Sequence, residues 1–150
     1  GPLRAARVIE AIARSVQRTF GRSIGFVADE GSAAIVLPEA EAIPIALTVN
    51  ELLTNAVKHG SGGEARCAVA AGAGTLEVEI RNPGRLREGF DLAAFRGGVS
   101  GLGLVRALLP RRSASLSIEQ DGAEVCSRVV LREPSVRFEA AAADTAHRRE

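Results

Sequence analysis

The polar residues Thr48, Glu51, Asn55, Lys58 and His59 recur at three- and four-residue spacing within an otherwise apolar stretch. On a helix that spacing lines them up as one stripe, facing either solvent or a polar cavity. An Asn inside such a helix is poorly placed without partners. The amide oxygen of Asn55 is a hard donor suited to Mg²⁺, with the Glu51 carboxylate one turn earlier and the Lys58 ammonium one turn later. This set can serve a bound polyphosphate; equally, it can be a solvated helix face with one tolerated Asn. Asn82-Pro83-Gly84 follows an alternating strand pattern. It is a turn signature in which the Asn amide is also able to read an exocyclic amine such as that of adenine. Gly97-Gly98-Val99-Ser100-Gly101-Leu102-Gly103-Leu104 opens a further helical stretch. Clustered glycines there suit tight packing or a phosphate held by helix N-terminal amides, although the run matches neither the dinucleotide fingerprint nor the lysine-bearing P-loop.

Placing these residues requires a mixed α/β frame. Val8, Ile9, Ile12, Val16 and Phe20 mark an amphipathic helix over 3–20, ended near Gly21. Segments 23–28 and 33–37 read as two strands joined by the tight turn 29–32, with Pro38 closing the second. The helix that carries the stripe spans about 40–59, and it tolerates Pro44 only if that residue lies in the first turn. Strands at 64–71 and 75–81 follow, the second alternating Leu76, Val78 and Ile80 with Glu77, Glu79 and Arg81. Residues 82–98 form the longest irregular segment, with one turn of helix expected near 89–95. A short helix stopped before Pro110 and a hairpin, 114–119 with 124–131 around Asp121-Gly122, complete the pattern. The fold class expected is α/β: a two-layer sandwich with a mixed, mostly antiparallel sheet, helices on one face, and Glu77, Glu79, Ser117 and Glu119 on the wet side. The domain is placed at 3–133, and 134–150 is expected to be a flexible or helical tail.

The 150 residues suffice for one domain. Nineteen basic against eighteen acidic side chains leave a net charge of +1, which argues against nucleic acid or an anionic membrane as partner. Cys67 and Cys126 stand alone in apolar or alternating runs and read as buried reduced thiols. No apolar run reaches spanning length, so a cytoplasmic location is expected.

Three boxes taken together carry a family resemblance: Asn50-Glu51-Leu52-Leu53-Thr54-Asn55-Ala56-Val57-Lys58-His59-Gly60, then Arg81-Asn82-Pro83-Gly84, then Gly101-Leu102-Gly103-Leu104. They resemble the N box and two glycine boxes of the histidine-kinase-like ATPases. Ala42-Ile43-Pro44 followed by Val49-Asn50-Glu51-Leu52 is similar to bacterial sensor kinases of the HWE and related subclasses. The resemblance implies the catalytic and ATP-binding domain of a sensor histidine kinase, acting with ATP and Mg²⁺ in two-component signalling. Asn55 would then ligate Mg²⁺ and Glu51 would polarise or deprotonate the attacking group. Lys58 and His59 would line the nucleotide, Asn82 would stand where an adenine-reading Asp is usual, and Gly84 would approach the base. Gly98, Gly101, Leu102 and Gly103 would close on the phosphates at the end of the lid. The partners implied are a histidine-bearing dimerisation domain outside this chain and a downstream response regulator. His59 belongs to the nucleotide box and His147 to a polar stretch, so neither resembles a phosphoacceptor. Two rival readings share the fold: an anti-sigma-factor serine kinase or switch protein, acting on a sigma factor or antagonist, and a degenerate module that binds a partner without using ATP. Asn82 in place of Asp, and Arg85-Leu86 where a second glycine is common, depart from the pattern and predict weaker nucleotide binding.

Overall fold

The computed structural model describes residues 3–94 and 101–139. The chain begins with a two-residue strand, β1 (Leu3–Arg4), and enters α1 (Ala5–Phe20), whose buried residues Ala5, Ile9, Ala13 and Val16 form the expected stripe. Gly21 ends this helix in the left-handed region at φ 61°, where its N–H returns to the carbonyl of Gln17. Strand β2 (Ile24–Ala28) follows, then a single 3₁₀ turn (Glu30–Ala34) and β3 (Ile35–Leu37).

β2 and β3 do not form the expected hairpin. The Asp29 carboxylate accepts from Ser32 N at 2.9 Å, winding the connection into the 3₁₀ turn, and also from Ala71 N of the neighbouring strand. The turn thereby carries the chain out of one sheet into another. β2 runs parallel to β4 (Ala65–Gly72), whereas β3 sits between β1 and β8 (Arg137–Phe138) in a small antiparallel sheet. All three residues of β3 are buried, which a hairpin edge open on one side would not allow. The stretch after Pro134, expected to begin a tail, instead re-enters the fold as β8. Ser135 and Val136 are buried, Ser135 meets the Ser113 hydroxyl at 2.6 Å, and Arg4 pairs with Glu139 at 2.7 Å. Residues 140–150 lie outside the described residues.

α2 (Glu39–His59) begins after Pro38, with Glu39 and Glu41 in its first turn and Lys58 and His59 in its last, the arrangement its macrodipole favours. Pro44 sits in the second turn rather than the first. It therefore removes one backbone donor inside the helix, and its own carbonyl accepts from the Thr48 hydroxyl at 2.8 Å. Thr48 is wholly buried and turned into this contact, so it leaves the polar stripe.

The main sheet has the order β2-β4-β5-β7-β6, with β5 (Thr75–Pro83), β6 (Ala114–Asp121) and β7 (Glu124–Leu131) pairing antiparallel. One face is apolar and lies beneath α1, α2 and the short α3 (Gly101–Leu108): Cys67, Val69, Leu76, Val78, Ile80, Val129 and Leu131 meet Leu52, Leu53 and Val105 in a single core. Burial in that core pushes the Cys67 thiol up to about 12, and both cysteines are free, as expected. The other face is polar. Glu79 accepts from Arg128 at 2.6 Å and from Arg81 at 2.8 Å, and these two guanidiniums hold its carboxyl below the usual carboxylate range. Arg81 continues the row to Asp121 and Arg66 to Glu124. The architecture is thus the mixed, mostly antiparallel sheet with helices on one face that the strand pattern implied. No helix among the described residues is long and apolar enough to cross a membrane.

Candidate nucleotide site

Where Asn82 of β5 and Ile118, Val125 and Ser127 of β6 and β7 face α2, a cavity of about 490 Å³ opens between the sheet and the helix. Glu51, Asn55 and His59, each four residues from the next, face it from α2, with Leu52 and Ala56 beside them. The Asn55 side chain makes no hydrogen bond among the described residues, so a half-buried carboxamide is left to whatever fills the cavity. The start of α3 closes the same end: Gly101, at φ +69°, lies so near Glu51 that an added Cβ would sit 3.4 Å from Oε1. Leu102 also lines the cavity.

At the other end is Asn82, the last inward residue of β5 and only 7% exposed. Its Nδ2 donates to the Pro83 carbonyl at 3.1 Å, and Ser61 N donates to the same carbonyl at 2.9 Å. The end of α2 is pressed against this junction. A Cβ on Gly60 would come within 2.6 Å of the Ala56 carbonyl and 3.2 Å of Asn82 Nδ2, so only glycine fits. With Nδ2 engaged between Gly60, Gly84 and Pro83, the Oδ1 atom is the acceptor left for the cavity that Asn82 lines.

The remaining wall is a loop that leaves β5 at Gly84. Gly84 N donates to the Ala123 carbonyl at 3.0 Å, and Gln120 grips the next residues. Its Oε1 accepts from Leu86 N at 2.8 Å while its Nε2 donates to the carbonyls of Gly84 and Gly122, each at 2.9 Å, and to that of Glu124 at 3.1 Å. Farther on, a 3₁₀ turn (Leu92–Ala94) is tied to α3 through Arg106, which donates to the Ala93 carbonyl at 3.1 Å. Arg85, Leu86, Arg87 and Phe90 of this loop line the cavity, opposite Ile118, Val125 and Ser127 of the hairpin β6–β7.

Six of the sequence-derived residues therefore meet around one cavity: Glu51, Asn55, His59, Asn82, Gly101 and Leu102. Three do not line it. Lys58 is exposed on the solvent side of α2, Gly84 lies behind Asn82, and Gly103 is buried within α3. Gly98 lies outside the described residues. Arg85 and Leu86 were marked in the sequence only as departures from the glycine-box pattern, and Arg87, Phe90 and Gln120 were not singled out. Only Gln120 carried a signal, being a polar residue in an inward position after Ala114, Leu116 and Ile118. Changing Gln120 to Ala is expected to destabilise the chain by about 1–3 kcal/mol in urea unfolding, through the part-buried backbone partners left unpaired.

The family model for the histidine kinase-like ATPase domain matches residues 13–129, most of the chain. The chain belongs to this family. No curated protein matches it. Among solved structures, the blue-light activated histidine kinase of Erythrobacter litoralis EL346 is similar over 87% of this chain at 25% identity, with a TM-score of 0.68. This chain covers 42% of that kinase, less than half its length. The catalytic domain of the histidine kinase ThkA shares the fold over 89% of this chain and 95% of its own, at 15% identity and a TM-score of 0.70. Full-length ShkA in complex with AMPPNP does so over 94% of this chain and 32% of its own, at 16% identity and a TM-score of 0.70. The chain thus has the fold of histidine-kinase catalytic and ATP-binding domains, and the cavity lies between its three family boxes.

Proposed function

We propose that this chain binds Mg²⁺-ATP in the cavity and donates the γ-phosphoryl group to a histidine on a dimerisation domain outside the chain, from which a response regulator receives it. The observation that carries the reading is the convergence of Glu51, Asn55 and Asn82 on one cavity, from two elements distant in sequence. Its volume of about 490 Å³ is within the range of small-molecule sites. The residues present fit the metal as well as the nucleotide. Asn55 offers a single hard oxygen, and Mg²⁺ retains waters and takes phosphate oxygens rather than a complete protein cage. When bound, Mg²⁺ would neutralise charge on the phosphate oxygens as the phosphoryl group leaves.

The chain's own residues then have separable tasks. Asn82 Oδ1 accepts from the exocyclic amine of adenine, which sets the base at the β5 end. Asn55 orients the metal-bearing end of the nucleotide. Glu51, at the α3 end, faces the incoming imidazole and is placed to hold or accept its proton. Leu86, Phe90, Ile118 and Val125 exclude water from the base.

The test is calorimetric titration of the purified chain with a non-hydrolysable ATP analogue and Mg²⁺, paired with thermal unfolding. Binding in the micromolar to submillimolar range is expected, with a rise in Tm of about 5–10 °C near a hundredfold excess over Kd. Silence in both measurements overturns the reading.

A further inference from the structure

The family resemblance assigns the cation beside the nucleotide to Lys58, yet Lys58 is exposed and does not line the cavity. The guanidiniums that line it are those of Arg85 and Arg87, on the loop gripped by Gln120. Among the described arginines, these are the two that line the cavity. Arg4, Arg14, Arg66, Arg81 and Arg128 all have carboxylate partners at 2.9 Å or less. The guanidiniums of Arg85 and Arg87, like those of several exposed arginines elsewhere, have no hydrogen bond or ion pair among the described residues. The acidic side chain on the cavity wall, Glu51, sits at the α3 end beside Gly101. Two unpaired guanidiniums with an apolar side chain, Leu86, between them thus face a cavity whose occupant is expected to carry several negative charges.

We propose that Arg85 and Arg87 supply the positive charge that holds the nucleotide's polyphosphate, in place of Lys58. This rests on the nucleotide reading of the cavity and assigns its charge recognition to residues outside the three family boxes. Pinning Gly84 N to Ala123 and Leu86 N to Gln120 fixes the backbone on either side of Arg85 and just before Arg87. The side chains are therefore presented from a set position, with little loop ordering left to accompany binding. Both arginines are solvent-exposed, so the attraction is screened and must weaken with salt.

The experiment compares the chain with the double variants R85A/R87A and R85K/R87K, titrated with the ATP analogue plus Mg²⁺ and with adenosine, at about 0.05 and 0.3 M salt. For R85A/R87A the expected result is a fall in ATP-analogue affinity of about tenfold at low salt, a smaller fall at high salt, and adenosine affinity unchanged. R85K/R87K should recover most of the loss, because charge rather than a forked geometry is at work. Equal loss for both ligands would show that the arginines merely support the loop, and unchanged ATP affinity would remove them from the site; either result overturns the proposal. If the unaltered chain binds neither ligand, the nucleotide reading itself fails, and this proposal with it.

Discussion

Replacing Asn55 by alanine is expected to weaken Mg²⁺-ATP binding about 100-fold while leaving the chain as stable as before, or slightly more so. The two effects have separate causes. A factor of 100 is about 2.8 kcal/mol, the scale of losing an interaction with a charged group. The stability change runs the other way because the Asn55 amide has no partner among the described residues, so removing it breaks nothing. Alanine is also the better helix former, by up to about 0.7 kcal/mol. A rise in Tm accompanied by loss of ligand binding marks a residue kept for its site, whereas a structural Asn would lose stability first. The metal dependence makes the result more specific: with Mg²⁺ chelated, the alanine variant and the unaltered chain should bind the analogue with similar, weak affinity. A variant that melts earlier yet still binds Mg²⁺-ATP would remove Asn55 from the metal's surroundings.

Asn55 was visible in the sequence because a helix converts four-residue spacing into a common face, and Glu51, Asn55 and His59 obey it. Thr48 and Lys58 fit nearly the same spacing but fall outside the cavity. A row of residues four apart winds around its helix, so by the last turn the cavity faces His59 and Lys58 is left to solvent. At the other end, the Pro44 carbonyl captures the Thr48 hydroxyl within the core. Periodicity reports a face; it does not report how far along the helix the neighbouring layer extends. The same limit separates the strands that were read well from those that were not. β4 to β7 come as hairpins with alternating burial, so local pattern and tertiary pairing coincide. β2 and β3 are adjacent and β-rich, but Asp29 takes its partners from a strand some 40 residues onward, and no local signal specifies that pairing. β8 is two residues long and exists through its pairing with β3, so composition alone suggested a tail. The wall made by Arg85, Leu86, Arg87 and Phe90 belongs to a loop without a period, positioned by Gln120 from the opposite hairpin.

Asn82 invites the change that would restore the family's usual acid, and Asn82→Asp is expected to destabilise the chain by about 2–4 kcal/mol at pH 7. Sequence alone presents this residue as a weakened aspartate. Its surroundings show a different requirement. The Nδ2 donor joins Pro83 O and is enclosed by Gly60 and Gly84, where the end of α2 meets the end of β5. A carboxylate would set an oxygen against that carbonyl oxygen, at a position 7% exposed. Desolvation and the facing carbonyl would both raise its folded-state pKa above the unfolded value of about 3.9. A group with a raised folded pKa binds more protons in the native state, so stability falls as pH increases between the two values. The deficit relative to the unaltered chain should therefore be smallest below about pH 4 and grow toward neutrality. Urea unfolding of both proteins at matched pH values measures it directly. Nucleotide affinity should not show the gain of about tenfold that a charge-assisted bond to the adenine amine would otherwise bring, because the carboxylate disturbs the junction that aims it. Equal stability at pH 7 together with tighter ATP binding would mean that the junction tolerates an acid and that Asn82 is simply the poorer reader of adenine. The deficit expected instead makes Asn82 a residue with two tasks, its nitrogen closing the α2–β5 junction and its oxygen facing the base.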